Sequence, residues 1–176
     1  MHKMKSVLVL LIAGLFVAAP VHAQQKTAYG DEVGTLDGII KAYYDVVTVK
    51  KGEKVSYTRD SLLHISNPSV GMAKRDKDGN VKLELITLKQ FHNQSDAMLE
   101  KNGFYEKEIS RKVESFGAIF HVWSTYEARN TENGPVIDRG INSIQLYFDG
   151  TRFWILSWVF DEESKERPLP KKYLKQ

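Results

Sequence analysis

The chain has 176 residues and no cysteine, with 25 Lys and Arg against 22 Asp and Glu for a formal charge of +3. These numbers exclude a disulfide framework, a thiolate metal site and a cysteine nucleophile. Part of the positive charge is Lys3 and Lys5, which flank an apolar run, so what remains is near neutrality rather than the basic stripe of a nucleic-acid binder.

That N-terminal run reads as a secretory signal peptide over residues 1–23. Lys3 and Lys5 form the positive region, Val7 to Ala19 the apolar region, and Val21-His22-Ala23 the small-x-small cleavage site. The apolar run falls short of the ~20 residues that span a bilayer, so no membrane span is expected. Cleavage after Ala23 would leave 153 of the 176 residues in the periplasm or outside the cell. A mature chain of that size suits one domain, burying on the order of 70% of its unfolded surface.

Residues 24–34 are polar and are expected to be flexible. Thr35 then caps a helix in which Leu36, Ile39, Ile40, Tyr43, Tyr44 and Val47 recur at helical spacing, ended by Lys50-Lys51-Gly52. A short second helix, capped by Asp60 or Ser61, stops at Asn67-Pro68 because the residue before proline is driven out of the α region. Residues 70–86 read as a hairpin about Lys77-Asp78-Gly79-Asn80. Thr87 and Gln90 make a capping box for a helix that Asn102-Gly103 closes. From residue 105 onward four strands follow, turning at Phe116-Gly117, across residues 130–138, and at Asp149-Gly150. Residues 162–176 carry charges with Pro168 and Pro170 and are expected to form a mobile tail.

Helices followed by an antiparallel sheet argue an α+β domain over residues 35–161. Three blocks sharpen that: Phe-Gly-x-Ile-x-His-Val-Trp-Ser from Phe116, Arg-Gly-Ile-Asn-Ser-Ile-Gln-Leu from Arg139, and Asp-Gly-x-x-x-Trp-Ile from Asp149. With the element order, they resemble the nuclear transport factor 2-like superfamily in its SnoaL-like and ketosteroid isomerase-like branch. The resemblance implies a curved sheet wrapped around helices as a cone with a pocket. It leaves activity open, because one fold hosts many functions.

Pairing the two long strands across residues 130–138 puts His121, Trp123, Thr125 and Glu127 on one face with Ile141, Ser143 and Gln145. Phe120, Val122, Tyr126, Asn142, Ile144 and Leu146 fall on the other. His121 and Glu127 are the candidate catalytic pair, a histidine beside a carboxylate that can act as general base near neutral pH. Arg139 can hold a ligand carboxylate. Tyr43, His64, Trp123, Asn142, Gln145 and Trp154 complete the candidate ligand wall. The same polar groups also read as a structural network that fixes sheet register, and the tryptophans as core or dimer surface. His64 with His121 and Glu127 would be a two-histidine, one-carboxylate set, but no His-x-His spacing supports it, so neither metal nor other cofactor is expected. His92 is expected to face solvent. In the isomerase-like branch a helical tyrosine and two acids line the cone. Tyr43 or Tyr44 can match the tyrosine, while Asn67-Pro68 stands where an acid is needed.

The expected role is an exported protein holding a small organic molecule in the cone, dimerising through its sheet. The alternatives are an isomerase, cyclase or lyase using His121 or Glu127, and a protein-interaction module with a vestigial pocket.

Overall fold

The computed structural model describes residues 29–174. The expected signal peptide, its expected cleavage site and residues 24–28 lie outside the described residues. Helix α1 spans Leu36–Val47, and the Thr35 hydroxyl accepts the Gly38 N–H at 3.0 Å as its cap. It ends before the Lys50-Lys51-Gly52 stop because Val49 pairs with Phe104 instead, both N–H···O contacts measuring 2.8 Å. The segment expected to be flexible is docked from Tyr29 onward. Asp31–Gly34 forms a 3-10 turn, Tyr29 and Val33 are buried, and the Tyr29 hydroxyl donates to the Arg59 carbonyl at 3.0 Å.

Helix α2, Tyr57–Ser61, is capped by Ser56 and starts earlier than expected. Strand β1, His64–Arg75, then begins ahead of Pro68 rather than after it. The cause is non-local: β1 runs parallel to a strand ninety residues away, and its pairing is irregular between His64 and Ser69, where Pro68 offers no N–H. Strand β2, Val81–Thr87, returns across the expected turn. There the Asp76 carboxylate accepts the N–H groups of Asp78 and Asn80 at 2.9 Å, and Gly79 has φ +83°. The Thr87–Gln90 capping box opens α3, Leu88–Asn102.

Gly103 closes α3 at φ +77°, and a Cβ there would sit 2.5 Å from the Asn130 carbonyl oxygen. Gly103→Ala should therefore cost more than about 1 kcal/mol. Thermal unfolding checks it, and an unchanged midpoint would refute the strain argument.

Strands β3 (Tyr105–Phe116), β4 (Ile119–Arg129), β5 (Asp138–Phe148) and β6 (Phe153–Glu162) complete one six-stranded sheet in the order β2-β1-β6-β5-β4-β3. Only β1 and β6 are parallel. The β4–β5 register is the expected one, with His121 opposite Gln145 and Glu127 opposite Arg139. The sheet wraps its inner face around α1 and α3, and Ile39, Ile40, Tyr43, Leu63, Val122, Ile144, Leu146, Ile155 and Trp158 fill the core. The inner face is thus the one bearing Val122, Ser124, Tyr126, Asn142 and Ile144. The face bearing His121, Trp123, Glu127 and Gln145 is outside.

Two irregularities re-aim side chains. The β3–β4 register shifts between Glu108 and Ser110, so Glu106 and Glu108 sit opposite Ala128 and Tyr126, whereas Arg111 and Val113 sit opposite Ser124 and Val122. A second shift between β5 and β6 turns Ile155 and Trp158 inward together.

The tail is placed on the outer face. The Arg167 guanidinium reaches Asp161, the Leu169 N–H donates to Glu163 at 3.0 Å, and Tyr173 stacks on Trp123 at 5.5 Å. The Thr125 hydroxyl donates to the Tyr173 carbonyl at 2.7 Å. Charge and proline content predict mobility, but these specific contacts hold the tail on the sheet.

Candidate functional site

The polar groups that converge inside the cone come from α1, β3, β4 and β5. Tyr44 points off α1 into the sheet, its hydroxyl 2.6 Å from the Ser124 hydroxyl. Ser124 donates to Glu108 at 2.5 Å. Asn142 lies among the apolar residues of β5 and donates from Nδ2 to both Tyr44 Oη, at 3.3 Å, and Glu106 Oε1, at 3.2 Å. Beyond Glu106, the Tyr126 hydroxyl faces Asp138 at 3.4 Å. A cavity of about 250 Å³ opens over this group between Ile40, Tyr44, Glu106, Glu108 and Arg111.

Its electrostatics single out Glu106. Arg111 grips Glu108 through Nε at 2.8 Å and Nη2 at 2.6 Å, and Asp37 through Nη1 at 2.7 Å. Lys41 pairs with Asp45, and Lys107 with Glu127 at 3.0 Å. Every cation at the opening is thus engaged with a carboxylate other than Glu106. Burial pushes the Glu106 pKa up to about 7, the Asn142 hydrogen bond opposing and the Asp138 charge adding to it. Burial also raises Asp138, and it holds the Tyr44 and Tyr126 hydroxyls far above the usual phenol range. The arrangement can bind a hydrogen-bond donor, or trade a proton with it, near neutral pH.

The residues expected from the sequence distribute differently. His121 and Glu127 stand on the outer face, six residues apart on one strand and so ~20 Å apart, which is too far to serve one reacting centre. His121 Nε2 meets the Ser143 hydroxyl at 2.9 Å, whereas Glu127 is held by Arg129 at 2.6 Å and by Lys107. Arg139 is bound to Glu163 at 2.7 Å, and Gln145 is exposed on the same outer face. Trp123 lies beneath the tail. Trp154 stands at the start of β6, donating to Asp149 of the β5–β6 turn at 2.7 Å beneath the Arg152 guanidinium 3.8 Å away. The three tryptophans therefore form no common wall, since Trp158 is core, edge-on to Tyr43 and Phe91. Of the expected set, Asn142 joins the inner cluster, and Tyr43 packs beside it while Tyr44 supplies the hydroxyl.

His64 belongs to a second buried group. Its Nδ1 lies 2.9 Å from the Asp60 carbonyl and 3.5 Å from the Asp60 carboxylate. His92, expected to face solvent, is buried with Nε2 2.9 Å from Asp60 and Nδ1 3.0 Å from Asp96. α3 turns this side inward because Leu88, Phe91, His92 and Leu99 share it. Burial lowers the His64 pKa despite Asp60. Burial would lower His92 too, but its two carboxylate partners outweigh that and raise it. Among the described residues no three His, Asp or Glu side chains are placed to hold a metal ion, and no helix is long and apolar enough to cross a membrane.

Sequence reasoning missed Glu106, Glu108, Ser124 and Asp138, and it named Tyr44 only as the alternative to Tyr43. The available signal was Asn142, a polar residue on the apolar face, which Ser124 and Tyr126 share by parity.

No protein-family model matches the chain, and no curated protein sequence matches it. Solved structures do. A Nostoc punctiforme protein of unknown function with a cystatin-like fold aligns over 72% of this chain and 87% of its own at 8% identity, with a TM-score of 0.53. The yeast UBP3-associated protein BRE5 aligns over 74% and 98% at 13% identity and a TM-score of 0.51. An NTF2-like protein of unknown function from Methylobacillus flagellatus aligns over 73% and 89% at 14% identity and a TM-score of 0.49. A six-stranded curved sheet closed around its helices, aligned with the cystatin-like Nostoc punctiforme structure, is the nuclear transport factor 2-like, cystatin-like fold.

Proposed function

We propose that the chain is an exported small-molecule-binding protein of the SnoaL-like type whose ligand enters the cone opening between α1 and β3. The observation that carries this reading is Glu106, a carboxyl with one amide partner and no cation, at the wall of a cavity. A group so perturbed is a mark of functional sites. The cavity is below the 300–1,000 Å³ of drug-sized pockets, so the ligand is small and carries an amine or hydroxyl for Glu106. Export rests on the signal-like N-terminus, which implies a periplasmic or secreted protein.

The pKa of Glu106 also favours a second reading, proton transfer within a bound substrate, with Glu106 in place of the His121–Glu127 pair. A homodimer through the sheet would use apolar residues outside the tail, such as Leu83 and Leu85 on β2 or Phe116, Ile119 and Tyr147 at the other end.

Native mass spectrometry of the mature protein isolated from its own compartment tests the binding reading. A small mass should accompany the wild type and be lost on denaturation and in Glu106→Ala. Equal retention by both proteins would remove Glu106 from the site, and an empty wild type would count against a tight-binding carrier.

A further inference from the structure

A larger cavity lies on the opposite side of the sheet from Glu106. It measures about 440 Å³, and its floor is Ala73, Trp123, Ile141 and Val159 of four strands. Its roof is the tail, through Leu169 and Tyr173, with prolines at 168 and 170. It falls within the range of drug-sized ligand sites and is larger than the inner opening.

The rim is charged, and its charges are sorted. Asp161 is held by both nitrogens of Arg75, at 2.6 and 2.7 Å. Glu163 is held by Arg139 and by the Leu169 N–H. Arg167 spends only Nη2, on Asp161 and on the Glu162 carbonyl. Its Nε and Nη1 donate to no protein group among the described residues, and its side chain is 40% exposed. The rim thus carries Asp161 and Glu163 neutralised by Arg75 and Arg139, Glu162 with no ion-pair partner among the described residues, and a guanidinium with donors to spare, beside an apolar slot that continues into exposed Leu83 and Leu85 on β2.

We propose that this is a second binding site, for a fatty acid. The acyl chain lies between sheet and tail, and its carboxylate meets Nε and Nη1 of Arg167. The tail is then a roof that the ligand completes. The Trp123–Tyr173 stack fixes its far end, and the Arg167 contacts fix its near end. The apolar slot selects the chain and Arg167 selects the head.

The test uses cis-parinaric acid, a fluorescent C18 fatty acid, and its methyl ester with the full mature chain. The acid should bind with enhanced fluorescence. Ala73→Leu, which fills the floor from β1, should weaken it at least about tenfold, as three added carbons displace chain methylenes. Arg167→Gln should weaken the acid more than the ester, and Arg167→Lys should restore part of the difference. Circular dichroism on each variant confirms that the fold is kept. No fluorescence gain with wild type would overturn the proposal. So would Ala73→Leu binding unchanged, or acid and ester responding alike to Arg167→Gln.

Discussion

Glu106→Gln should make the protein more stable at pH 8 by about 3 kcal/mol, raising the melting midpoint by roughly 6–12 °C. In the folded state Glu106 titrates at about 7 against an ordinary 4.5. The folded protein therefore holds a proton that the unfolded chain has released between those values. Above pH 7 the folded state must ionise a carboxyl that burial disfavours, and this destabilisation is fully present. As pH falls through 7 toward 4.5 the cost disappears. Glutamine keeps an oxygen for the Asn142 amide and has nothing to ionise, so its advantage should be largest at pH 8 and vanish by about pH 4.5. Parallel thermal melts at the two pH values decide it. An equal gap at both, or a variant less stable at pH 8, would show that Glu106 is compensated by something other than Asn142. A residue that costs stability at working pH fits the proposed site, since natural chains keep such groups where function uses them.

The limits of the sequence follow from what each inference rested on. Local devices were legible: the Thr35 cap, the Thr87–Gln90 box, the Asp78-Gly79 turn and the alternation that set the β4–β5 register all act within a few residues. The two faces of β4 and β5 were sorted correctly by parity, but parity cannot say which face the helices cover. Polar His121 and Glu127 on one side and polar Ser124 and Asn142 on the other looked equivalent. β3 was harder: an alternation from Tyr105 to Glu114 is expected, but Tyr105-Glu106-Lys107-Glu108 does not follow it, and the register shift after Glu108 reverses its facing with no residue to announce it. The early start of β1 and the docking of Tyr173 depend on partners about ninety and fifty residues away. His92 was misplaced for a related reason: a histidine on a helix is polar by type, and Asp60 from α2, together with Asp96 one turn along, offsets its burial.

That dependence on Asp60 sets the second large effect. Asp60→Asn should destabilise the protein by about 3–5 kcal/mol at pH 6, the cost of removing one partner from a buried charged pair. Asp60 is nearly inaccessible and ties three elements: it is on α2, it meets His92 of α3 at 2.9 Å, and its carbonyl meets His64 at the start of β1. The pH dependence separates the charge from the packing. The pKa of His92 is raised by its carboxylates against burial, so its contribution is complete below the unfolded value of about 6.5 and is lost as pH rises through the folded one. His64 is lowered by burial, so it acts oppositely and weakens the fold as pH falls below 6.5. In the wild-type curve the two partly cancel. The difference between wild type and Asp60→Asn reports what the Asp60 charge contributes to His92 and, at 3.5 Å, to His64, and it should shrink from pH 6 to pH 9 as both imidazoles lose their protons. Denaturant unfolding at those two values measures it. A cost under about 1 kcal/mol at pH 6, or one that grows toward pH 9, would mean that the Asp60–His92 contact is packing without charge.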